Sequence, residues 1–188
     1  MRVIAGSARG RRLAAPPGSD TRPTADRVRE ALFSILGPPP AGAVVLDLFA
    51  GAGTLGIEAL SRGAERAVFA DHARAAARVL RKNLEELGLA ARAEVHVGDA
   101  TRFAGRLARE GRSFSWIFLD PPYAAGLADA ALAAIGAGRL LAQDGVAVVE
   151  HDRRAPPLPV QAPLFKADSR RYGDTELTFY RTGAHDDS

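Results

Sequence analysis

The chain has 188 residues, 47% hydrophobic, with 25 basic against 22 acidic side chains and no cysteine. That composition suits one α/β unit with a sizeable core, and it excludes disulfides, thiolate metal sites, iron–sulfur clusters and a cysteine nucleophile. No apolar run reaches the roughly 18 residues of a membrane helix, and the start "MRVIAGSARGRRL" lacks a signal-peptide core, so a soluble, cytoplasmic protein is expected.

Charge is unevenly spread. Arg2, Arg9, Arg11, Arg12, Arg22, Arg27 and Arg29 face only Asp20, Asp26 and Glu30 in residues 1–30, which leaves +4 there and a near-neutral remainder. A local arginine patch suits a phosphate backbone, and equally a solvated basic arm. Residues 1–20 predict a small β-hairpin around the basic loop "GSARGR", with Arg9, Arg11 and Arg12 as candidate RNA contacts. "TRPTADRVREALFSIL" predicts a helix. Thr24 would be its N-cap, Asp26 would suit the first turn, and Val28, Leu32, Ile35 and Leu36 would form its apolar face. "GPPPAG" stops it. Residues 1–40 thus read as an extension, 41–182 as the core and 183–188 as a disordered tail.

From residue 43, apolar runs alternate with helical stretches. The runs are "AVVLDLF", "RAVFAD", "AEVHVG", "SFSWIFLD" and "GVAVVEH", with helices predicted at 53–62, 72–88, 100–110 and 125–136. Unalternating runs fit strands buried on both faces, and the alternation predicts a parallel sheet flanked by helices on both sides. "LFKADSRRYGDTELTFYRT" predicts a closing antiparallel hairpin about Gly-Asp.

The first core strand runs into "DLFAGAGTLG", whose Gly51, Gly53 and Gly56 match the spacing of a dinucleotide-binding turn. Asp47, however, puts a carboxylate just before that turn, where a pyrophosphate would want amide donors alone. A cationic ligand tolerates it. S-adenosylmethionine, with a sulfonium, an ammonium and no phosphate, is such a ligand. Phe49 lies in the same turn. Asp71 ends the second strand and can accept ribose hydroxyls, while Asp99, followed by Ala100, can accept from an adenine amine. Each of these two acids also stands where a helix N-cap would.

"FLDPPY", 118–123, ends the fourth strand. Pro121 and Pro122 stiffen the turn and remove two backbone donors, Asp120 adds an acceptor, and Tyr123 offers a flat face. The group reads as a socket for a planar ring bearing an amine. Asp120 and the Pro121 carbonyl would accept the amine N–H bonds and turn its lone pair toward a methyl donor. His96 and His151 lie at strand ends and read as structural, and no metal site is expected.

These residues resemble class I adenosylmethionine-dependent methyltransferases that modify exocyclic amines. With "RVIAGSARGRRL", "TRPTADRVREALFSIL", "DLFAGAGTLGIEALSRGA" and "YGDTEL", the chain resembles, over about residues 2–181, the bacterial 16S rRNA guanine-N2 methyltransferase family. The resemblance implies a seven-stranded Rossmann-like sheet with its antiparallel strand in the final hairpin. It implies S-adenosylmethionine as cofactor, S-adenosylhomocysteine as product, and a monomer acting on a guanine, nucleotide 966, of 16S rRNA within the small ribosomal subunit. Asp47, Phe49, Gly51, Gly53, Asp71, Asp99 and Ala100 would line the cofactor. Arg22, Thr24 and Arg27 would cover it, and Asp120, Pro121, Pro122 and Tyr123 would hold the base. From the residues alone, three alternatives stay open: an adenine-N6 methyltransferase, an NAD(P)-dependent oxidoreductase, and an RNA-binding assembly factor without catalysis.

Overall fold

The structure, a computed structural model, describes residues 1–16, 23–122, 126–157 and 163–183, without the side chains of 23–25. The expected alternation is present. In chain order the core elements are β1 (Val44–Asp47), α2 (Thr54–Ser61), β2 (Arg66–Asp71), α3 (Arg74–Glu86), β3 (Ala93–Val97), α4 (Ala100–Arg109), β4 (Phe114–Leu119), α5 (Leu127–Ala137), β5 (Leu141–Asp152), β6 (Leu164–Tyr172) and β7 (Thr175–Thr182), all preceded by α1 (Pro23–Leu36). The seven strands form one sheet ordered β3-β2-β1-β4-β5-β7-β6. The first five are parallel, and β7 runs antiparallel to both β5 and β6. The β6–β7 hairpin turns at Gly173-Asp174, as its sequence predicts.

Central strands are the runs buried on both faces: in β1 and β4 nearly every side chain is sequestered. β3 differs. It is the sheet edge, so Glu94 is exposed and its neighbours are only half buried. β5 begins at Leu141, earlier than "GVAVVEH" suggests. Leu141 already pairs with Phe114, and the strand then crosses a register shift before Val146 meets Trp116. An irregular polar stretch, Gln143-Asp144, hides this start from any apolar-run reading.

Two differences concern the N-terminal region. The hairpin is short: among the described residues it has one antiparallel bridge, Arg2 with Arg12, and the Val3, Gly10 and Leu13 amides bond the Arg11, Val3 and Met1 carbonyls at 3.0, 2.8 and 3.1 Å. Polar clamps on α2 hold this short ladder in place. The Glu58 carboxylate accepts the Ile4 and Ala5 amides at 2.8 and 3.0 Å, and the Ser61 hydroxyl accepts from Ala8 at 2.9 Å and donates to the Ala5 carbonyl at 2.6 Å. Glu58 also holds Arg62 Nε at 2.7 Å, so its buried charge is paired.

In α1, the buried face is Val28, Arg29, Leu32 and Phe33, while Ile35 is 43% exposed. Phe33 sets this orientation. It packs edge-on to Trp116 and against Phe118, with ring centroids 6.1 and 5.7 Å away. Such an aromatic cluster is worth about 0.5–1.5 kcal/mol per pair beyond area burial. The helix starts at Pro23, a residue favoured at the first helical position, so Thr24 falls inside the first turn and not at the cap. Helices lie on both faces of the sheet. α1, α2 and α3 share one core cluster, α4 and α5 the other.

Candidate active site

Sheet order reverses between β1 and β4, because β2 and β3 lie on one side of β1 and β4 and β5 on the other. A crevice opens at such a switch point beyond the carboxyl ends of the strands. The predicted acids gather there: Asp47 ends β1, Asp71 ends β2, Asp99 follows β3 and Asp120 follows β4. Leu48 donates its amide to the Phe118 carbonyl at 3.0 Å, and Ala50 to the Ala70 carbonyl at 3.0 Å. The turn after β1 is thereby held between β4 and β2.

The three glycines divide between two tasks. Gly51 has φ +54°, in the left-handed region, and a Cβ built on it would meet nothing within 4 Å. The backbone of the turn is open to close approach there. A Cβ on Gly53 would lie 2.2 Å from the Leu80 side chain, and one on Gly56 2.2 Å from the Phe69 ring. Those two glycines serve helix packing.

Asp47 departs from expectation. It is 1% exposed, and its Oδ2 accepts the Gly56 amide of α2 at 3.0 Å. The carboxyl therefore lies beneath the crevice, anchoring the start of α2, and does not line the rim. Burial pushes its pKa up to about 7, the Gly56 bond opposes this, and repulsion from Asp120 and Asp71 adds to it. Asp71 clasps the turn: Oδ2 accepts the Gly51 amide at 2.8 Å and Oδ1 the Ala73 amide at 2.8 Å. Asp99 is the N-cap of α4 and accepts from Arg102 N at 2.9 Å. Its pKa is lowered, first by the Thr101 hydroxyl and then by that amide. Asp99 stays solvent-exposed while it caps α4. Phe49 and Ala100 pack half-buried on the α4–α5 core beside these acids.

Asp120 is reached by solvent at the crevice mouth, yet chain surrounds it below, and that burial pushes its pKa up to about 6. Pro121 is half-buried and Pro122 exposed beside it. Tyr123 and Arg22 lie outside the described residues, as does the side chain of Thr24. Arg27 is exposed on α1. Arg9, Arg11 and Arg12 are exposed on the arm, with Arg11 also donating to the Glu86 carbonyl at 2.8 Å. His151 bonds the Asp152 carbonyl and the Thr178 hydroxyl at 2.9 and 2.8 Å, and His96 stacks on Phe103 with centroids 4.2 Å apart. Among the described residues no group of three acids or histidines is placed to hold a metal ion, and no helix is long and apolar enough to cross a membrane.

Sequence reasoning missed Glu58, Asn83, Arg29 and Glu150. Glu150 had a signal: like Asp47 and Asp71 it is an acid closing an apolar strand run, "VAVVE". Glu58 had a fainter one, a lone charge in the otherwise apolar "TLGIEALS". Asn83 and Arg29 had none.

The donor set fits S-adenosylmethionine. Asp71 and Asp99 follow the adjacent strands β2 and β3, backbone at Gly51 is open to close approach, and carboxylates stand where a phosphate would need donors. The structure of yhhF from Escherichia coli matches with a TM-score of 0.83 at 36% identity, covering 98% of both chains. The fold is that of a class I methyltransferase. The family model described as Conserved hypothetical protein 95 matches residues 1–181. YlbH of Bacillus subtilis (strain 168) is 42% identical over 96% of this chain and 98% of its own. Ribosomal RNA small subunit methyltransferase D of Escherichia coli (strain K12) is 40% identical over 81% of this chain and 75% of its own. The chain belongs to the ribosomal RNA small subunit methyltransferase D family.

Proposed function

We propose that the protein methylates the exocyclic N2 amine of a guanine, nucleotide 966, in 16S rRNA, using S-adenosylmethionine and acting in the cytoplasm as a monomer on the small ribosomal subunit. The observation that carries this reading is Asp120. It follows β4 directly across the switch-point crevice from the Gly51 turn, and it is open to solvent.

The donor, when bound, supplies an activated methyl on a sulfonium. Everything else falls to the chain. Asp71 holds the Gly51 turn in shape and, with Asp99, offers acceptors for hydroxyl and amine groups. Asp120 and the Pro121 carbonyl take the N–H bonds of the target amine, and Tyr123 stacks on the base. A guanine amine is a weak nucleophile because its lone pair is spread into the ring. Accepting both N–H bonds favours a pyramidal nitrogen with the pair aimed at the methyl carbon. Asp120 then stabilises the charge growing on nitrogen and can receive the proton. The contribution is alignment and electrostatics, on a base drawn out of its stack. Arg9, Arg11 and Arg12 extend from the arm as candidate phosphate contacts.

Two experiments test this. Mass spectrometry of rRNA nucleosides from a deletion strain should show loss of one N2-methylguanosine, restored by the wild-type gene; loss of N6-methyladenosine instead refutes the base assignment. Thermal unfolding with S-adenosylhomocysteine against NAD should show stabilisation by the first alone; a shift with NAD refutes the cofactor.

A further inference from the structure

The parallel register pairs Phe118 with Val148 and Leu119 with Val149. Continued by one residue, that register sets Asp120, just past β4, level with Glu150, which lies in β5 two residues before its end at Asp152. Neighbouring strands are roughly 4.8 Å apart, and level residues of a parallel pair point to one face. That face carries Trp116, Phe118, Val146 and Val148, over which α1 packs with Val28, Leu32 and Phe33. α1 brings Arg29 to it. Arg29 is 5% exposed, donates from Nη2 to the Arg2 carbonyl at 2.6 Å and to Asp26 at 3.0 Å, and keeps a buried Nε without a partner among the described residues. Glu150 feels both neighbours. Burial and the repulsion of Asp120 push its pKa up, against the pull of Arg29, to about 8. On the β7 side Glu150 is level with the apolar Leu177, which is flanked by Glu176 and Thr178.

Neither Asp120 nor Glu150 receives a hydrogen bond from a described residue. Two adjacent acidic acceptors without protein donors, backed by one fixed cation, form a receptor for two adjacent N–H donors. The amino edge of guanine presents such a pair, the ring N1–H beside the 2-amine. Adenine presents an amine beside a bare ring nitrogen.

We propose that Glu150 is a specificity-determining residue of the base socket, accepting the ring N1–H of guanine while Asp120 accepts the 2-amine. The assignment rests on the guanine reading above. Arg29 is a positioning residue: it draws Glu150 toward its anionic, acceptor-only form. Above about pH 8, where Glu150 is anionic, it repels a bare ring nitrogen, so the socket then refuses purines that lack the N1 hydrogen.

The test uses small subunits reconstituted with rRNA carrying guanine or 2,6-diaminopurine at the methylated position. The analogue keeps the 2-amine and lacks the N1 hydrogen. At about pH 8.5 the wild type should methylate guanine at least about ten-fold faster, the effect of one unpaired buried acceptor. Glu150→Ala should slow guanine about ten-fold, leave the analogue nearly unchanged, and keep S-adenosylhomocysteine affinity. Glu150→Gln, whose amide both accepts and donates, should retain guanine turnover and gain turnover on the analogue. Equal slowing of both bases by Glu150→Ala, or wild-type discrimination in Glu150→Gln, overturns the proposal. A product methylated on adenine overturns the guanine reading itself, and with it this role.

Discussion

Asn83 of α3 donates its Nδ2 to the carbonyl of Ala52, inside the glycine turn, at 3.0 Å. The same amide grips the arm, with Oδ1 accepting Ala14 N at 2.8 Å and Nδ2 donating to the Ala14 carbonyl at 3.0 Å. One buried side chain thus ties the basic arm to the cradle of the proposed cofactor. Asn83→Ala leaves three backbone groups unpaired. It should cost about 2–3 kcal/mol in denaturant unfolding and weaken S-adenosylhomocysteine binding together with it. Unchanged cofactor affinity in a destabilised protein would sever the link between arm and cradle.

Gly51→Ala and Gly56→Ala should fail in opposite ways. The first places a methyl in open space, so calorimetry should show a loss of only about 1 kcal/mol from the left-handed backbone while S-adenosylhomocysteine affinity falls steeply. The second drives a methyl into the Phe69 ring and should cost about 1–3 kcal/mol, with affinity reduced only as far as the fold is.

Asp47 makes stability depend on pH. Unfolded, its carboxyl titrates at 3.8; folded, at about 7. Between those values the unfolded chain has released the proton and the folded chain still holds it, so this carboxyl's contribution to stability falls as pH rises through the window and levels off above it. Asp47→Asn keeps an acceptor for Gly56 and removes the titration. Urea unfolding at a series of pH values should show the variant gaining on wild type from about pH 4 to about pH 7. Parallel curves would place the charge elsewhere.

Asp120 must be anionic to accept both amine protons well. With its carboxyl pushed up to about 6 by burial, kcat/KM should rise as pH passes through that value. Asp120→Ala should retain cofactor affinity and lose most turnover. A flat profile, or turnover within a few-fold of wild type, would remove Asp120 from the chemistry.

Replacing Arg9 or Arg12 by alanine should each lower the salt slope of RNA binding by roughly one unit, read from binding isotherms over a range of salt. Arg11→Ala should lower it less, because its guanidinium is already engaged by the Glu86 carbonyl. Unchanged slopes would make the arm a solvated surface.

The parallel core and the closing hairpin were legible in one dimension, as were the acids that follow the strands. Buried strands announce themselves as unbroken apolar runs, and a glycine turn needs glycines at fixed spacing. Burial direction was less legible. Val28, Leu32, Ile35 and Leu36 satisfy helical spacing as well as Val28, Leu32 and Phe33 do, and only the Trp116–Phe118 pair across the interface chose the face that turns Arg29 inward.

What the sequence determined alone was local: periodicity, turn chemistry, the absence of thiols, and the order in which acids follow strands. Tertiary structure decided which groups meet. Asp47 and Asp71 carry equivalent signals, yet one is sealed beneath α2 and the other clasps the turn, because helix packing closes over only the first. Asp120 and Glu150 are thirty positions apart and become neighbours only through the β4–β5 register. That register is a property of long-range strand pairing, which no local pattern encodes.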